Sequence, residues 1–157
     1  MAIMDERTLL ADAASVAAVA STILIGSQID ATIARDLGNG QPVYLCIVVS
    51  TSIITAGAAG TIQFILASDA SAAIATDGSA TEHWRSEAFV TDDAALNDLD
   101  AGETLVCIAL PTNGAQPYER YLGLLAVIAT TEVTAGAVTA WLSLDPIGWK
   151  AYPEGDN

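Results

Sequence analysis

The chain has 157 residues, the length of one common domain, and it is long enough to bury a hydrophobic core without disulfides or metals. Hydrophobic residues make up 52% of it and charged residues only 15%, which excludes intrinsic disorder. Five Lys and Arg stand against nineteen Asp and Glu, and the net charge of −14 argues against binding to nucleic acids or anionic membranes. The same charge favours docking on basic protein patches, although simple solubility explains it equally well.

The first residues predict an extended N-terminal arm, 1–18, ahead of a single folded domain, 19–157, which ends in a short tail. No basic region followed by an apolar run is present, so we expect no secretory signal and a product that stays in the cytoplasm of the cell that makes it. The apolar arm residues Met4, Leu9 and Leu10 are candidates to contact a neighbouring subunit. Fraying, which is common at chain termini, is an alternative of equal weight.

Seven short segments with the residue pattern of β-strands follow. Some, such as 43–50, are apolar and rich in β-branched residues, and others, such as 61–66, alternate between two faces. The seven segments are 19–25, 43–50, 61–66, 83–90, 104–110, 120–129 and 138–144. We also predict a surface loop over 68–82, an acidic loop over 91–103 and a turn over 134–136.

These short strands, with no long helix between them, predict an all-β protein. Connections of roughly 10–20 residues alternate with tight ones, which favours Greek-key crossings, so we predict a jelly-roll-like β-sandwich of about seven to eight strands. Cys46 and Cys107 lie inside apolar strands, where each is expected to act as a small core hydrophobe. A single disulfide between them is an open alternative, but their spacing does not call for one.

The sequence shows no set of residues for catalysis, cofactor binding or metal binding. His83 is the one histidine of the chain, and no G-x-S-x-G motif, Walker loop or dinucleotide fingerprint is present. The acidic loop lacks the ligand spacing of an EF-hand, which favours a solvated loop over a calcium site. We therefore predict a protein that is not an enzyme and has no cofactor. A hydrolase built on a carboxylate pair is the alternative, and it has no positive support.

A co-linear series of short segments runs along nearly the whole chain. It comprises Leu9, Asp12, Ala13 and Val16, Ser21-Thr22, then ARDLGNG at 34–40 leading into PVY at 42–44, FILASD at 64–69, AGE at 101–103, LP at 110–111, RYL at 120–122 and TAGA at 134–137. In this order the segments resemble the Bbp16-like cement proteins of tailed bacteriophages.

The resemblance implies a jelly-roll protein that is made in the host cytoplasm and binds the outer face of an icosahedral phage head. Its partner there is a different protein, the major capsid protein. Proteins of this kind self-associate, here as a dimer or trimer, and clamp neighbouring capsomers; they bring no catalytic residues. The charge agrees with the outer face, because the inner face of a packed head meets DNA, which would repel a net charge of −14.

Five further residues are candidates for contacts with a partner: Arg35, Arg120, Trp141, Trp149 and Tyr152. The alternation in 138–144 points Trp141 away from the interior and places Leu142 and Leu144 inside. Cover by the protein's own tail is the alternative for Trp141, and the two arginines can pair with acids of their own chain. A second hypothesis for function is a carbohydrate-binding jelly roll that adheres to host glycans, with Trp84, Trp141 or Trp149 stacking on sugar.

Overall fold

The structure, a computed structural model, describes residues 6–34, 37, 40–55, 57, 59–91, 99–112 and 116–144. Within these ranges a short 3-10 turn, Glu6–Thr8, precedes nine strands. They are β1 (Leu9–Ser15), β2 (Thr22–Asp30), β3 (Tyr44–Thr55), β4 (Thr61–Asp69), β5 (Thr81–Arg85), β6 (Phe89–Val90), β7 (Thr104–Ala109), β8 (Tyr121–Ala129) and β9 (Val133–Ser143).

The strand order confirms the predicted jelly roll. One sheet, here the A sheet, has the order β1-β9-β3-β7, and the other, the B sheet, has the order β2-β8-β4-β5, with the short β6 paired to β4. Every pairing is antiparallel, and most connections cross from one sheet to the other. Without the short β6, the other eight strands form two four-stranded rows joined by Greek-key connections, which is the jelly-roll architecture.

The hydrophobic core lies between the two sheets. In β3 the side chains of Leu45, Ile47 and Val49 are fully buried there, as strand alternation requires. The apolar run in β8 has a different cause, because this strand is buried on both faces: Leu124 faces the central core and Leu125 belongs to a second cluster on the outer face of the B sheet. Burial on both faces explains why β8 reads as continuous rather than alternating.

The predicted N-terminal arm differs from the structure, because residues 9–15 form strand β1 of the sandwich. β1 lies at the edge of the A sheet, where it pairs with β9 through partners such as Ala14 and Val138. Leu10 and Val16 are fully buried in the central core, so they are not offered to a neighbouring subunit. The folded unit therefore begins near residue 9 rather than residue 19.

A glycine in β2 allows β1 and β2, the edge strands of the two sheets, to lie close to each other. Gly26 has a φ of +66°, a conformation that other residues adopt at a cost. A Cβ at this position would overlap the backbone carbonyl oxygen of Leu10 and lie 2.8 Å from the Cα of Ala11. The absence of a side chain at Gly26 thus lets the two edge strands approach each other.

The predicted turn over 134–136 is wrong, because these residues lie inside β9. Gly136 has a φ of +145°, and a Cβ there would come within 2.9 Å of the Cα of Ile53 in the neighbouring strand β3. The ladder between β3 and β9 is irregular at this level. Gly136 marks a close approach of two backbones rather than a reversal of the chain.

The loop predicted over 68–82 does more than lie on the surface. Its residue Ile74 is only 5% exposed and packs with Ile65 and Leu125 on the outer face of the B sheet. Gly123 makes room for it, since a Cβ there would collide with the end of the Ile74 side chain. This loop therefore covers apolar surface of the B sheet with residues of the same chain.

Candidate interaction surfaces

The two ends of the sandwich are formed by connections that hydrogen bonds hold together. We call the end formed by 16–21, 59–60 and 130–132 the upper end, and the end formed by 31–34, 110–112 and 116–120 the lower end. At the upper end the Ala18 N–H donates to the Val133 carbonyl oxygen over 3.0 Å. At the lower end the Ala31 N–H donates to the Arg120 carbonyl oxygen over 2.9 Å.

The exposed large aliphatic side chains of the described residues gather at these two ends. Val19, Ile54 and Val90 lie at the upper end and are 65%, 51% and 41% exposed. Ile33 and Leu144 lie at the lower end and are 59% and 58% exposed. Single exposed aliphatic residues are ordinary, but their concentration at both ends gives the sandwich two opposite apolar surfaces.

The lower end also holds an apolar groove of about 420 Å³. Aliphatic side chains of four segments line most of it, among them Leu37, Val43, Leu122 and Leu142. Leu144 was predicted to face the interior, but β9 ends at Ser143 and Leu144 lies at this groove with most of its side chain exposed.

Arg120 is held by an acid of its own chain at the lower end. Its Nε and Nη2 atoms donate to the two carboxylate oxygens of Asp30, both over 2.8 Å, and its guanidinium lies 4.8 Å from the centre of the Tyr121 ring. The hydrogen bond from Arg120 lowers the pKa of Asp30 to about 2. Arg85 is bound in the same way by Glu82, 2.7 Å away. These two cations are thus matched within the chain, and the surface remains strongly acidic.

Trp141 is not the exposed interface residue that its strand position predicted. It does lie on the outer face of the A sheet, opposite Leu9 in β1 and Cys46 in β3, but it is only 1% exposed. Trp84 is partly buried and packs against the central core. Trp141 therefore presents no open ring on which a sugar could stack, and the Trp84 side chain is only partly exposed.

A serine and the histidine meet in a polar cluster between β4 and β5. The Ser68 hydroxyl lies 2.6 Å from His83 Nε2, and it accepts a hydrogen bond from the Glu119 N–H over 3.0 Å. The His83 ring stacks on Tyr118 with 3.9 Å between ring centres, and burial lowers the pKa of His83. Sequence reasoning found no partner for His83. However, Ser68 is 0% exposed, so a substrate cannot reach its hydroxyl in this conformation, and the contacts lock β4 to β5.

The remaining candidate residues lie outside the described ranges: Met4, Arg35, Trp149 and Tyr152, together with the acidic segment 92–98. Of the candidates that are described, Leu9 is half-buried and Arg120 is half-exposed. Across the described ranges no group of three or more His, Cys, Asp or Glu side chains is arranged to hold a metal ion. In the same part of the chain no helix is long and apolar enough to cross a bilayer.

Sequence reasoning missed the apolar ends. Val19 was placed at the start of a strand and Ile33 drew no attention, whereas both lie exposed in connections between strands. The sequence did contain a signal for these exposed residues, namely a large aliphatic residue within a connection between strands. Such connections lie at the surface and do not need a large apolar side chain for their own structure.

The fold and these surfaces define a jelly-roll protein with an acidic surface and apolar ends. Comparison with models of known protein families identifies the family of this chain. The model of the Bbp16 family matches residues 10–142, from within β1 to the last residue but one of β9, and the chain belongs to this phage-associated family. A search of curated proteins finds no match.

Proposed function

We propose that this protein is a structural component of a phage particle, a capsid cement protein that binds the outer surface of an icosahedral head and stabilises contacts between major capsid protein subunits. Membership of the Bbp16 family over residues 10–142 is the observation that carries the proposal. The jelly-roll fold and the character of the surface support it.

A cement protein needs two contact surfaces, since it joins neighbouring subunits. We assign these contacts to the two ends of the sandwich, because Val19 and Ile54 are exposed at one end and Ile33 and Leu144 at the other. Each contact needs only modest area, about 800 Å² per partner or less, because repetition over a lattice raises the effective concentration of every contact.

The charge supports binding to the outer surface. The net charge of −14 repels packaged DNA, and the pairs Arg85–Glu82 and Arg120–Asp30 leave neither of these cations available to phosphate groups. An acidic protein also associates faster with a basic patch on a partner. We therefore expect attachment to weaken as ionic strength rises.

The test is to purify heads made with and without this protein and to measure its copy number and the temperature at which the heads rupture. The proposal predicts a fixed ratio to the major capsid protein, labelling of intact heads by an antibody against this chain, and earlier rupture of heads that lack it. Absence of the protein from purified particles would refute the cement role.

The contact surfaces are tested by adding one charge at an end. Val19→Glu and Ile33→Glu should each lower occupancy on heads, because a carboxylate would be buried without a partner. Ser27→Glu is the matched control, since Ser27 is exposed inside strand β2 rather than in a connection at either end. Equal occupancy for all three variants would remove the ends as contact surfaces.

A further inference from the structure

Cys46 and Cys107 form a pair that sequence spacing did not predict. They lie directly opposite each other in the antiparallel strands β3 and β7, and their sulfur atoms are 3.2 Å apart. Both lie on the outer face of the A sheet, because their neighbours Leu45 and Ile47 face the central core. The prediction of a small buried hydrophobe therefore holds for Cys46, which is 1% exposed, and is wrong for Cys107, which is exposed.

The pair occupies the ladder position that brings side chains closest. The Leu110 N–H donates to the Val43 carbonyl oxygen over 2.8 Å, and the register places Cys46 and Cys107 three residues along from this hydrogen-bonded pair. Hydrogen-bonded and non-hydrogen-bonded pairs alternate in an antiparallel ladder, so the cysteines form a non-hydrogen-bonded pair. Such pairs have Cα atoms about 4.5 Å apart, within the range of about 4.4–6.8 Å that a disulfide spans.

The two thiols differ in access. Cys107 is exposed on β7, the edge strand of the A sheet, whereas Cys46 is 1% exposed and has Trp141 opposite it on its other side. Burial raises the pKa of the Cys46 thiol to about 12. An external reagent therefore reaches Cys107 first, and Cys46 is placed to react only with the sulfur beside it.

We propose that Cys46 and Cys107 are a redox-active pair that closes to an intramolecular disulfide, which joins the edge strand β7 to β3. The oxidant is a small-molecule disulfide such as oxidised glutathione. The Cys107 thiolate attacks one sulfur of the reagent, which releases one glutathione thiolate and leaves a mixed disulfide. The Cys46 thiolate then attacks the Cys107 sulfur and releases the second glutathione thiolate.

The electrons and protons balance. The two protein thiols lose two electrons and two protons, and the reagent disulfide gains them to become two thiols. The glutathione pool of a cytoplasm keeps the pair reduced, and oxidising surroundings close it. If the protein is a capsid cement protein as proposed, the two thiols would stay reduced during assembly in the host, and the disulfide would join β7 to β3 after the particle is released. Only this timing rests on the proposed function.

The test uses the purified full chain, which keeps it independent of capsid binding. After incubation with oxidised glutathione, intact mass should show the loss of two hydrogen atoms, and peptide mapping should find Cys46 linked to Cys107. The link spans 61 positions of the sequence, so the melting temperature should rise by about 5 °C or more and return on reduction. Closing should also be faster at higher pH, since Cys46 must deprotonate.

Two variants separate this chemistry from its alternatives. Cys46→Ser should retain glutathione on Cys107 as a stable adduct, and Cys107→Ser should react with neither glutathione nor a second chain, because Cys46 is buried. A stable glutathione adduct on the unmodified protein, a disulfide between two chains, or two thiols that stay reduced would each overturn the proposal. None of these results bears on whether the protein binds a capsid.

Discussion

The structure makes a sharp prediction about two adjacent leucines at the start of the sandwich. Leu10 is fully buried in the central core, whereas Leu9 is half-buried on the outer face of the A sheet. Replacing a buried leucine with alanine costs about 2–5 kcal/mol, and we expect about 3 kcal/mol for Leu10→Ala because an edge strand can partly relax into the cavity. Leu9→Ala removes only half-covered surface and should cost about 1 kcal/mol.

Urea unfolding of the two variants, followed by circular dichroism, measures this difference of about 2 kcal/mol directly. In thermal unfolding the Leu10→Ala variant should melt roughly 6–12 °C below the unmodified protein. If β1 were a detachable arm, both substitutions would have equal and small effects. A loss below about 1 kcal/mol for Leu10→Ala would therefore refute its place in the core.

Three further predictions concern a close approach and two titrating groups. Gly26→Ala should lower the free energy of unfolding by more than about 2 kcal/mol, because the new Cβ would overlap the β1 backbone. Gly57→Ala is the control and should cost about 1 kcal/mol, since Gly57 also has a positive φ but has no atom near its Cβ position. Equal losses would contradict the close approach of β1 and β2 at Gly26. Burial lowers the pKa of His83 in the folded state, so the stability that depends on neutral His83 is complete above about pH 6.5 and is lost as the pH falls below that value. His83→Gln should therefore make the free energy of unfolding less dependent on pH below about pH 6.5. An unchanged slope would show that His83 is not the titrating group. The hydrogen bond from Arg120 lowers the pKa of Asp30 to about 2, so the contribution of Asp30 to folding stability is present above about pH 4 and is lost between pH 3.8 and about 2. The Asp30→Asn variant should lack this loss of stability in acid. Acid unfolding monitored by tryptophan fluorescence measures the difference.

The interaction surfaces were harder to predict than the strands. Alternation correctly placed Trp141 on the outer face of its strand, but it did not reveal that the side chain is 1% exposed. Arg120 was considered for contacts with either a partner or an acid of its own chain, and the structure shows a bidentate pair with Asp30. The burial of Trp141 and the ion pair of Arg120 both depend on segments that are far away in the sequence. A local residue pattern carries no information about such contacts.

What the sequence determined by itself is the class of fold. Residue alternation, β-branched runs and turn dipeptides are local properties, and they were sufficient to predict an all-β jelly roll. The resemblance to a phage family rested instead on the order of short segments along the chain. Tertiary structure alone decided which segments pair: β1 joins β9 across most of the chain, with the Ala13 N–H bonded to Thr139 126 positions away. For the same reason Gly136 proved to mark a close approach rather than a turn, and Cys46 and Cys107, 61 positions apart, came to lie side by side. Strand pairing is set by how the two sheets bury their shared core, and that information resides in no single segment.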